Sequence, residues 1–311
     1  MKKRILITGA YGFLGNALWE FLEEKNLEFD IWGIAKNGKK SPKKIILCDI
    51  NRSQKLLSVL SWLKPALIFH FAGGRKPNDR EIFASNFLTT KSLFETVLKI
   101  KNYHPRIIIP GTAAEYGCVR STEGLIDECV PAHPASWYGF VKFMQTSLGL
   151  MFAQKGLLVT VARMFNILGP GVPPTLAIGK FAKDIVLMEK NAKPRTLHTK
   201  NLDGRRDFLD IRDVCEALVA VAKYGQSGEI YNICSGKSFR IRELLEQLLS
   251  FSTIQGITIK EDKHSSSQSH DIIGSNRKIK KITSWHPKIS MKKSIEETLH
   301  YYRKQILKTK V

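Results

Sequence analysis

The chain has 311 residues, 43% hydrophobic and 25% charged, and a formal net charge of +21. That length suits one large α/β domain or a domain with a smaller lobe, and the composition is that of a folded chain, not a disordered one. No apolar run approaches the ~20 residues of a membrane span. The basic start, Met1 to Arg4, leads into an apolar run that breaks at Thr8-Gly9, too early for the core of a secretory signal. A cytoplasmic protein without a membrane partner is expected. The five cysteines, Cys48, Cys118, Cys129, Cys215 and Cys234, form no CxxC pair. They suggest neither a zinc site nor a disulfide framework, and no metal is expected. The 49 Lys and Arg against 28 Asp and Glu raise nucleic-acid binding as a possibility. The denser basic groups, at 36–44, 190–206 and 277–293, carry no interleaved stacking aromatics. A Lys-rich surface, or a basic cleft for an anionic small molecule, is the expectation, with no nucleic-acid partner.

Along the chain, a strand is predicted over 3–8 and a helix over 16–24, with Ala17, Leu18, Phe21 and Leu22 on one face. Strands follow over 29–35, 44–47 and 66–71, then a long helix over 82–99. A strand over 106–110, a helix over 138–155 and a strand over 158–163 continue the alternation. This rhythm predicts a parallel sheet covered on both faces. Beyond Phe165 the pattern changes. Residues 169–174, Gly-Pro-Gly-Val-Pro-Pro, read as a loop. Helices over 181–189, 211–223 and 241–251 and a strand over 230–234 predict one return to the main sheet. The expected architecture is α/β: a Rossmann-type doubly wound parallel sheet with a smaller, discontinuous C-terminal lobe. A nucleotide-binding domain is expected over 1–165 with a return segment near 205–235. Residues 166–311 mainly form the substrate lobe.

Between the first strand and helix lies Thr8-Gly9-Ala10-Tyr11-Gly12-Phe13-Leu14-Gly15. Gly9 allows a tight turn, Gly12 lets backbone approach a pyrophosphate, and Gly15 packs helix on strand. The helix N-terminus then faces the phosphates. A glycine triplet alone is weak evidence, but the strand-turn-helix context makes a dinucleotide site the reading, with Tyr11, Phe13 and Leu14 in the turn. The second strand ends Ala35-Lys36, where a NAD site places Asp or Glu for the ribose 2′-hydroxyl. Lys36, with Lys39 and Lys40 nearby, suits a 2′-phosphate, so NADP(H) is expected over NAD(H). Asp49 and Ile50 follow the third strand, where Asp49 can meet the adenine. Phe71, Ala72 and Gly73 end the fourth strand and would line the cofactor.

Tyr138 and Lys142 are four residues apart on a predicted helix, which puts them on one face. An ammonium beside a phenol favours the phenolate. Such a tyrosine can exchange a proton with a carbinol oxygen while hydride moves. Thr112 follows the fifth strand, at the C-terminal edge where ligands bind open parallel sheets. Its hydroxyl can hold the same oxygen.

The glycine turn, Thr112, Tyr138 and Lys142, in that order, resemble the extended short-chain dehydrogenase/reductase family of nucleotide-sugar epimerases, dehydratases and reductases. The resemblance spans nearly the whole length. It takes in Asn86, Arg163-Met164-Phe165-Asn166, the run from Arg206 to Val214, Gly228 to Ile233, and Trp285-His286-Pro287-Lys288. It implies that Asn166 and Arg206 contact the substrate's pyrophosphate, that Phe165 and the nicotinamide-facing Tyr138 and Lys142 contact cofactor, and that the chain forms a homodimer. The dimer would use the helices flanking Tyr138 and residues 82–99. Glu115 either bonds a sugar hydroxyl or is structural.

Within the family, a 4,6-dehydratase carries an added acid/base pair straight after its threonine. Ala113 and Ala114 stand there and cannot transfer protons. A 4-epimerase usually prefers NAD. Local matches look most like the branch reducing GDP-activated 4-keto-6-deoxyhexoses. Departures stand at Ile167, Leu168 and Val172, where that branch typically has His and Gln. At His264 and Ser265-Ser266-Ser267-Gln268, many members carry a nucleotide-gripping Arg instead. The expected activity is NADPH-dependent reduction of a nucleotide-activated 4-keto-6-deoxyhexose, a CH–OH oxidoreductase. Tyr138 would protonate the C4 oxygen, Lys142 lower the tyrosine's pKa and bind ribose, and Thr112 hold the oxygen. Two alternatives remain: a nucleotide-sugar 4-epimerase with tightly bound NAD, and a non-catalytic Rossmann protein binding nucleic acid.

Overall fold

The computed structural model describes residues 2–25, 29–38, 41–119, 124–191, 193–262 and 272–308. Lys39, Lys40, His264 and the run from Ser265 to Gln268 lie outside the described residues. The first half alternates β1 (Lys3–Thr8), α1 (Phe13–Glu24), β2 (Phe29–Ala35), β3 (Ile45–Leu47), α2 (Ser53–Leu63), β4 (Leu67–His70), α3 (Asp79–Phe83), α4 (Thr89–Leu98), β5 (Arg106–Thr112), α5 (Trp137–Gln154) and β6 (Leu158–Met164). Then come β7 (Asn166–Leu168), α6 (Ala177–Glu189), β8 (Thr196–Lys200), β9 (Arg205–Arg206), β10 (Phe208–Asp210), α7 (Ile211–Tyr224) and β11 (Ile230–Ile233). The chain closes with β12 (Phe239–Arg240), α8 (Ile241–Ser250), β13 (Thr258–Asp262), α9 (Arg277–Thr283) and α10 (Met291–Lys308).

Seven strands form one sheet in the order β3-β2-β1-β4-β5-β6-β11. Every neighbouring pair is parallel. The chain runs outward from β1 to β3 and returns on the other side at β4, so the loops after β1 and β4 part above the sheet. That divergence leaves a crevice at the C-terminal strand ends. Both faces are covered, which is why the strands are apolar almost throughout. On β1, Ile5 and Ile7 enter the core shared with α1 and α7, and Leu6 enters the opposite core with α2 and α4. A third core joins α6, α8 and α10 through Ile185, Leu244, Leu248, Ile295 and Leu299. β11, late in the chain, pairs with β6 at the edge of the main sheet.

The expected helix over 82–99 differs in detail. It divides into α3 and α4, joined by a π-helical turn at Ala84–Leu88. Such a turn re-aims one side chain, and here that side chain is the buried Asn86. Its Nδ2 donates to Ile82 O (2.8 Å) and Gly74 O (2.9 Å), and its Oδ1 accepts from Gly74 N at 2.8 Å. Asn86 thereby pins the loop that leaves β4 beside the crevice. Among the described residues, no helix is long and apolar enough to cross a membrane.

Candidate active site

The glycine turn is built as its spacing requires. Gly9 adopts φ +66°, and a Cβ there would lie 2.6 Å from Phe71 O. A Cβ on Gly15 would lie 2.4 Å from Gly9 O. Gly12 is exposed and forms the N-cap of α1 without a side-chain cap, and the first turn of α1 has no acidic residue. The cradle therefore presents backbone N–H groups and a positive helix end, and it fits a dinucleotide pyrophosphate. Tyr11, Phe13 and Leu14 are half-buried around it.

At the edge of this crevice Lys36 is 74% exposed, and its Nζ lies 3.2 Å from Asp49 Oδ2. Asp49 Oδ1 also accepts from Asn51 N at 3.1 Å. The two residues expected at opposite ends of an adenosine are thus brought together. Two other expected cofactor contacts do not offer their side chains. Ile50 is buried under α2, and its carbonyl accepts from Ser92 Oγ at 2.7 Å. The Phe165 ring is buried beside Tyr116 and Cys234. Both positions face the crevice with backbone at most, because their apolar side chains complete cores. Phe71, Ala72 and Gly73 do lie beside the glycine turn. Ala72 N donates to Thr8 Oγ1 at 3.0 Å, and a Cβ on Gly73 would meet Asn86 Oδ1 at 2.6 Å.

Thr112 is the last residue of β5 and the N-cap of a 3₁₀ turn, Ala113–Glu115. Its Oγ1 accepts from Ala114 N at 3.3 Å. Helix α5 starts beside this turn with Ser136 as a side-chain cap. A Cβ on Gly139 would lie 2.5 Å from Ala114 O, so the absence of a side chain there lets α5 pack closely on the turn that follows Thr112. Lys142 is buried and donates to Pro110 O at 2.5 Å and to Gln145 Oε1. Burial brings its pKa down to about 8, against the opposing pull of Glu115. It remains mostly charged at neutral pH.

The tyrosine departs from the simplest expectation. Burial holds the Tyr138 phenol above its ordinary value, Arg75 opposes this and Glu115 adds to it. A phenol that stays protonated is suited to giving a proton to a developing alkoxide. Arg75 itself was not foreseen. Its guanidinium sits 4.7 Å from the centre of the Tyr138 ring, a cation–π contact at the mouth of the site. The available signal was its place in Gly73-Gly74-Arg75-Lys76, at the C-terminal end of β4.

Glu115 requires a correction on the substrate side. It is fully buried, and its Oε2 accepts from Arg163 Nη2 (2.9 Å) and Nε (3.2 Å). Its Oε1 accepts from Thr112 N at 2.7 Å. The carboxylate is turned into the sheet, so of the two readings its geometry answers to the structural one. Asn166 donates its amide to Asp207 O at 3.0 Å, tying β7 to β10. Arg206, on β9, donates to Arg205 O at 2.7 Å. The neighbouring aspartates make their own bonds. Asp207 accepts from Ser235, Gly236 and Gly274, and Asp210 binds Arg212.

The fold and the glycine turn define a Rossmann-type dinucleotide-binding protein, with Thr112 at the end of β5 and Tyr138 and Lys142 on α5. Residues 5–234 match the model of the NAD dependent epimerase/dehydratase family, and the chain belongs to that family. It is 27% identical to GDP-6-deoxy-D-mannose reductase of Pseudomonas aeruginosa, over 98% of this chain and 99% of that protein. It is 27% identical to GDP-6-deoxy-D-talose 4-dehydrogenase of Aggregatibacter actinomycetemcomitans, over 84% of this chain and 83% of that one. Among solved structures it is similar to RMD from Pseudomonas aeruginosa complexed with NADPH. There the TM-score is 0.85 and the identity 26%, over 97% of this chain and 100% of that one.

Proposed function

We propose that this protein is an NADPH-dependent reductase of a nucleotide-activated 4-keto-6-deoxyhexose, with a GDP sugar as the first candidate. The observation that carries this reading is the turn after β5. Thr112 is followed by Ala113 and Ala114, and the acid of the turn, Glu115, is withdrawn into a buried ion pair. Elimination of a hydroxyl needs a base at carbon as well as an acid at oxygen. This turn supplies neither a second base nor a second acid, whereas ketone reduction needs only the proton donor that Tyr138 provides. NADPH, when bound, supplies the hydride. Tyr138 gives its proton to the C4 oxygen, Thr112 Oγ1 bonds the same oxygen, and Lys142 holds ribose while its charge stabilises the phenolate left behind. Ala35 and Lys36 support NADP(H), because β2 ends without the Asp or Glu that would bond a ribose 2′-hydroxyl and is followed by an exposed cation, whose present partner is Asp49. Arg206 and Asn166 lie on the short strands beside the crevice, where a guanidinium and an amide can bind the sugar's diphosphate. The relatives reported above, a reductase and a 4-dehydrogenase of GDP-6-deoxyhexoses, support the same substrate class.

The test supplies GDP-4-keto-6-deoxymannose and dTDP-4-keto-6-deoxyglucose, each made in situ, with NADPH or NADH. The expected result is NADPH consumption with the GDP sugar, and NMR of the product then assigns the C4 configuration. No oxidation with either sugar would reject the reading. Tightly bound, non-exchanging NAD in the purified protein would instead indicate a 4-epimerase.

We further propose a homodimer through α4 and α5. Leu88 and Leu98 at the ends of α4, and Trp137, Phe140 and Met151 on α5, are exposed large apolar side chains. Light scattering should give twice the monomer mass of 35.2 kDa, and Phe140→Glu should reduce it. A monomeric wild-type protein at micromolar concentration would sink this assignment.

A further inference from the structure

A chain of buried polar side chains runs behind the active site. Thr8, His70, Thr90 and Gln145 are fully buried, and Lys142 is nearly so. They come from β1, β4, α4 and α5, the elements that carry the glycine turn and the Tyr/Lys pair. His70 Nδ1 lies 2.9 Å from Thr8 Oγ1, and its Nε2 lies 3.1 Å from Thr90 Oγ1. Gln145 Nε2 donates to Thr90 Oγ1 at 2.7 Å, and Lys142 Nζ donates to Gln145 Oε1.

Counting donors fixes every direction. The Thr90 hydroxyl proton goes to Asn86 O at 2.6 Å. Thr90 Oγ1 can then only accept, and it accepts from both Gln145 Nε2 and His70 Nε2. His70 is therefore the Nε2–H tautomer, and its bare Nδ1 accepts from the Thr8 hydroxyl. Thr8 Oγ1 in turn accepts from Ala72 N at 3.0 Å. The imidazole stays neutral, because burial, with Lys142 nearby, brings its pKa down to about 3. A flipped Gln145 amide would set N–H against ammonium at one end and, at the other, its carbonyl oxygen against a Thr90 oxygen whose proton is already given to Asn86 O. The carbonyl oxygen of Gln145 is thus held toward Lys142 by a chain of side chains that spans four elements.

We propose that Gln145 is a positioning residue, held by Thr90 and His70, that fixes the Lys142 ammonium on the helix it shares with Tyr138. The proposal rests on the reading of Tyr138 and Lys142 as the acid–base pair. An ammonium has three protons. Pro110 O and Gln145 Oε1 take two, which leaves one for a bound partner. Carbonyl acceptors also favour the charged form of a buried lysine. The other ionisable groups around Lys142 are few. Glu115, paired with Arg163, faces it from the β5 turn and β6. His70 faces it from β4, and Tyr138, with Arg75 over its ring, stands four residues earlier on α5. The charged side chains of α3 (Asp79, Arg80, Glu81) and of α4 (Lys91, Glu95) are exposed.

The experiment titrates the full-length protein labelled at lysine Cε, read by NMR. The Lys142 signal is assigned by its loss in Lys142→Arg. The wild-type signal should titrate near 8. Gln145→Leu should move it down by about one pH unit, and Gln145→Glu, which adds a carboxylate, should move it up by about one. The alkaline limb of kcat should move in the same two directions. A role confined to packing would lower stability in both variants without opposite titration shifts. Identical titration in all three proteins, or shifts of one sign, overturns the proposal. If Gln145→Leu does not fold, Gln145→Glu decides alone: an upward shift supports the proposal and no shift overturns it. Opposite NMR shifts with an unmoved kcat profile would keep the positioning role and reject the acid–base reading instead.

Discussion

Tyr138→Phe is expected to lower NADPH-dependent turnover by about 100- to 10,000-fold, the range for loss of a general acid. The substitution removes one oxygen and little else. The ring keeps its place at the start of α5, and Phe can still receive the Arg75 guanidinium that stands 4.7 Å above it. Cofactor affinity, read by NADPH fluorescence, should therefore change little, because the glycine turn and Lys142 are untouched. The loss should fall on kcat. In the proposed reduction the neutral phenol is the active form, and burial favours it by holding the Tyr138 pKa above its ordinary value. Lys142 gives the upper bound: as pH rises through about 8 its charge is lost and turnover should fall. Equal kcat in Tyr138→Phe and wild type would remove Tyr138 from the chemistry and leave Arg75 and Thr112 to explain any activity.

The parts of this site that could be read from sequence are those set by spacing along the chain. Gly9, Gly12 and Gly15 mark a strand-turn-helix, and Tyr138 and Lys142 share a helix face, whatever the rest of the fold does. The alternation of apolar runs likewise announces the parallel sheet. What could not be read is pairing between distant segments. Glu115 meets Arg163 across the β5–β6 contact, and Gln145 meets Thr90 across two helices. No local pattern distinguishes Glu115 pointing at a sugar from Glu115 pointing into the sheet. Lys36 and Asp49 were legible as residues near an adenosine, but their mutual contact depends on how β2 and β3 lie side by side. Three helices went unforeseen for a different reason. In α2 the buried Leu56, Leu60 and Leu63 have helical spacing, but serines and an exposed Trp62 interrupt the signal. In α9 and α10 many lysines dilute a narrow apolar stripe whose buried members include Ile279, Ile295 and Leu299.

Arg163→Met is expected to destabilise the protein by about 3–5 kcal/mol, the cost of leaving one partner of a buried ion pair alone. For a chain of this length that corresponds to a fall in Tm of roughly 5–8 °C. Arg163 and Glu115 have side-chain exposures of 3% and 0%, so water cannot replace the lost partner. Burial already pushes the Glu115 carboxyl above its usual range, against Arg163, Lys142 and the Thr112 N–H. Without the guanidinium the acid should take up a proton. Arg163 also stacks 4.5 Å from the centre of the Tyr116 ring, whose hydroxyl donates to Asn232 Oδ1 at 2.8 Å. Met preserves part of that apolar contact, so the loss reports mainly on charge. The double variant Glu115→Leu/Arg163→Met should regain most of the stability, since an apolar pair leaves no buried charge unmatched. It should not regain turnover, because Glu115 Oε1 also accepts the Thr112 N–H at 2.7 Å and so shapes the turn that aims Thr112. Thermal melts with kcat on the same three proteins separate these roles. Recovery of both Tm and kcat in the double variant would show that Thr112 needs no help from Glu115. Recovery of Tm alone would assign the placement of the threonine to the buried carboxylate and show that any well-packed pair can close the sheet there.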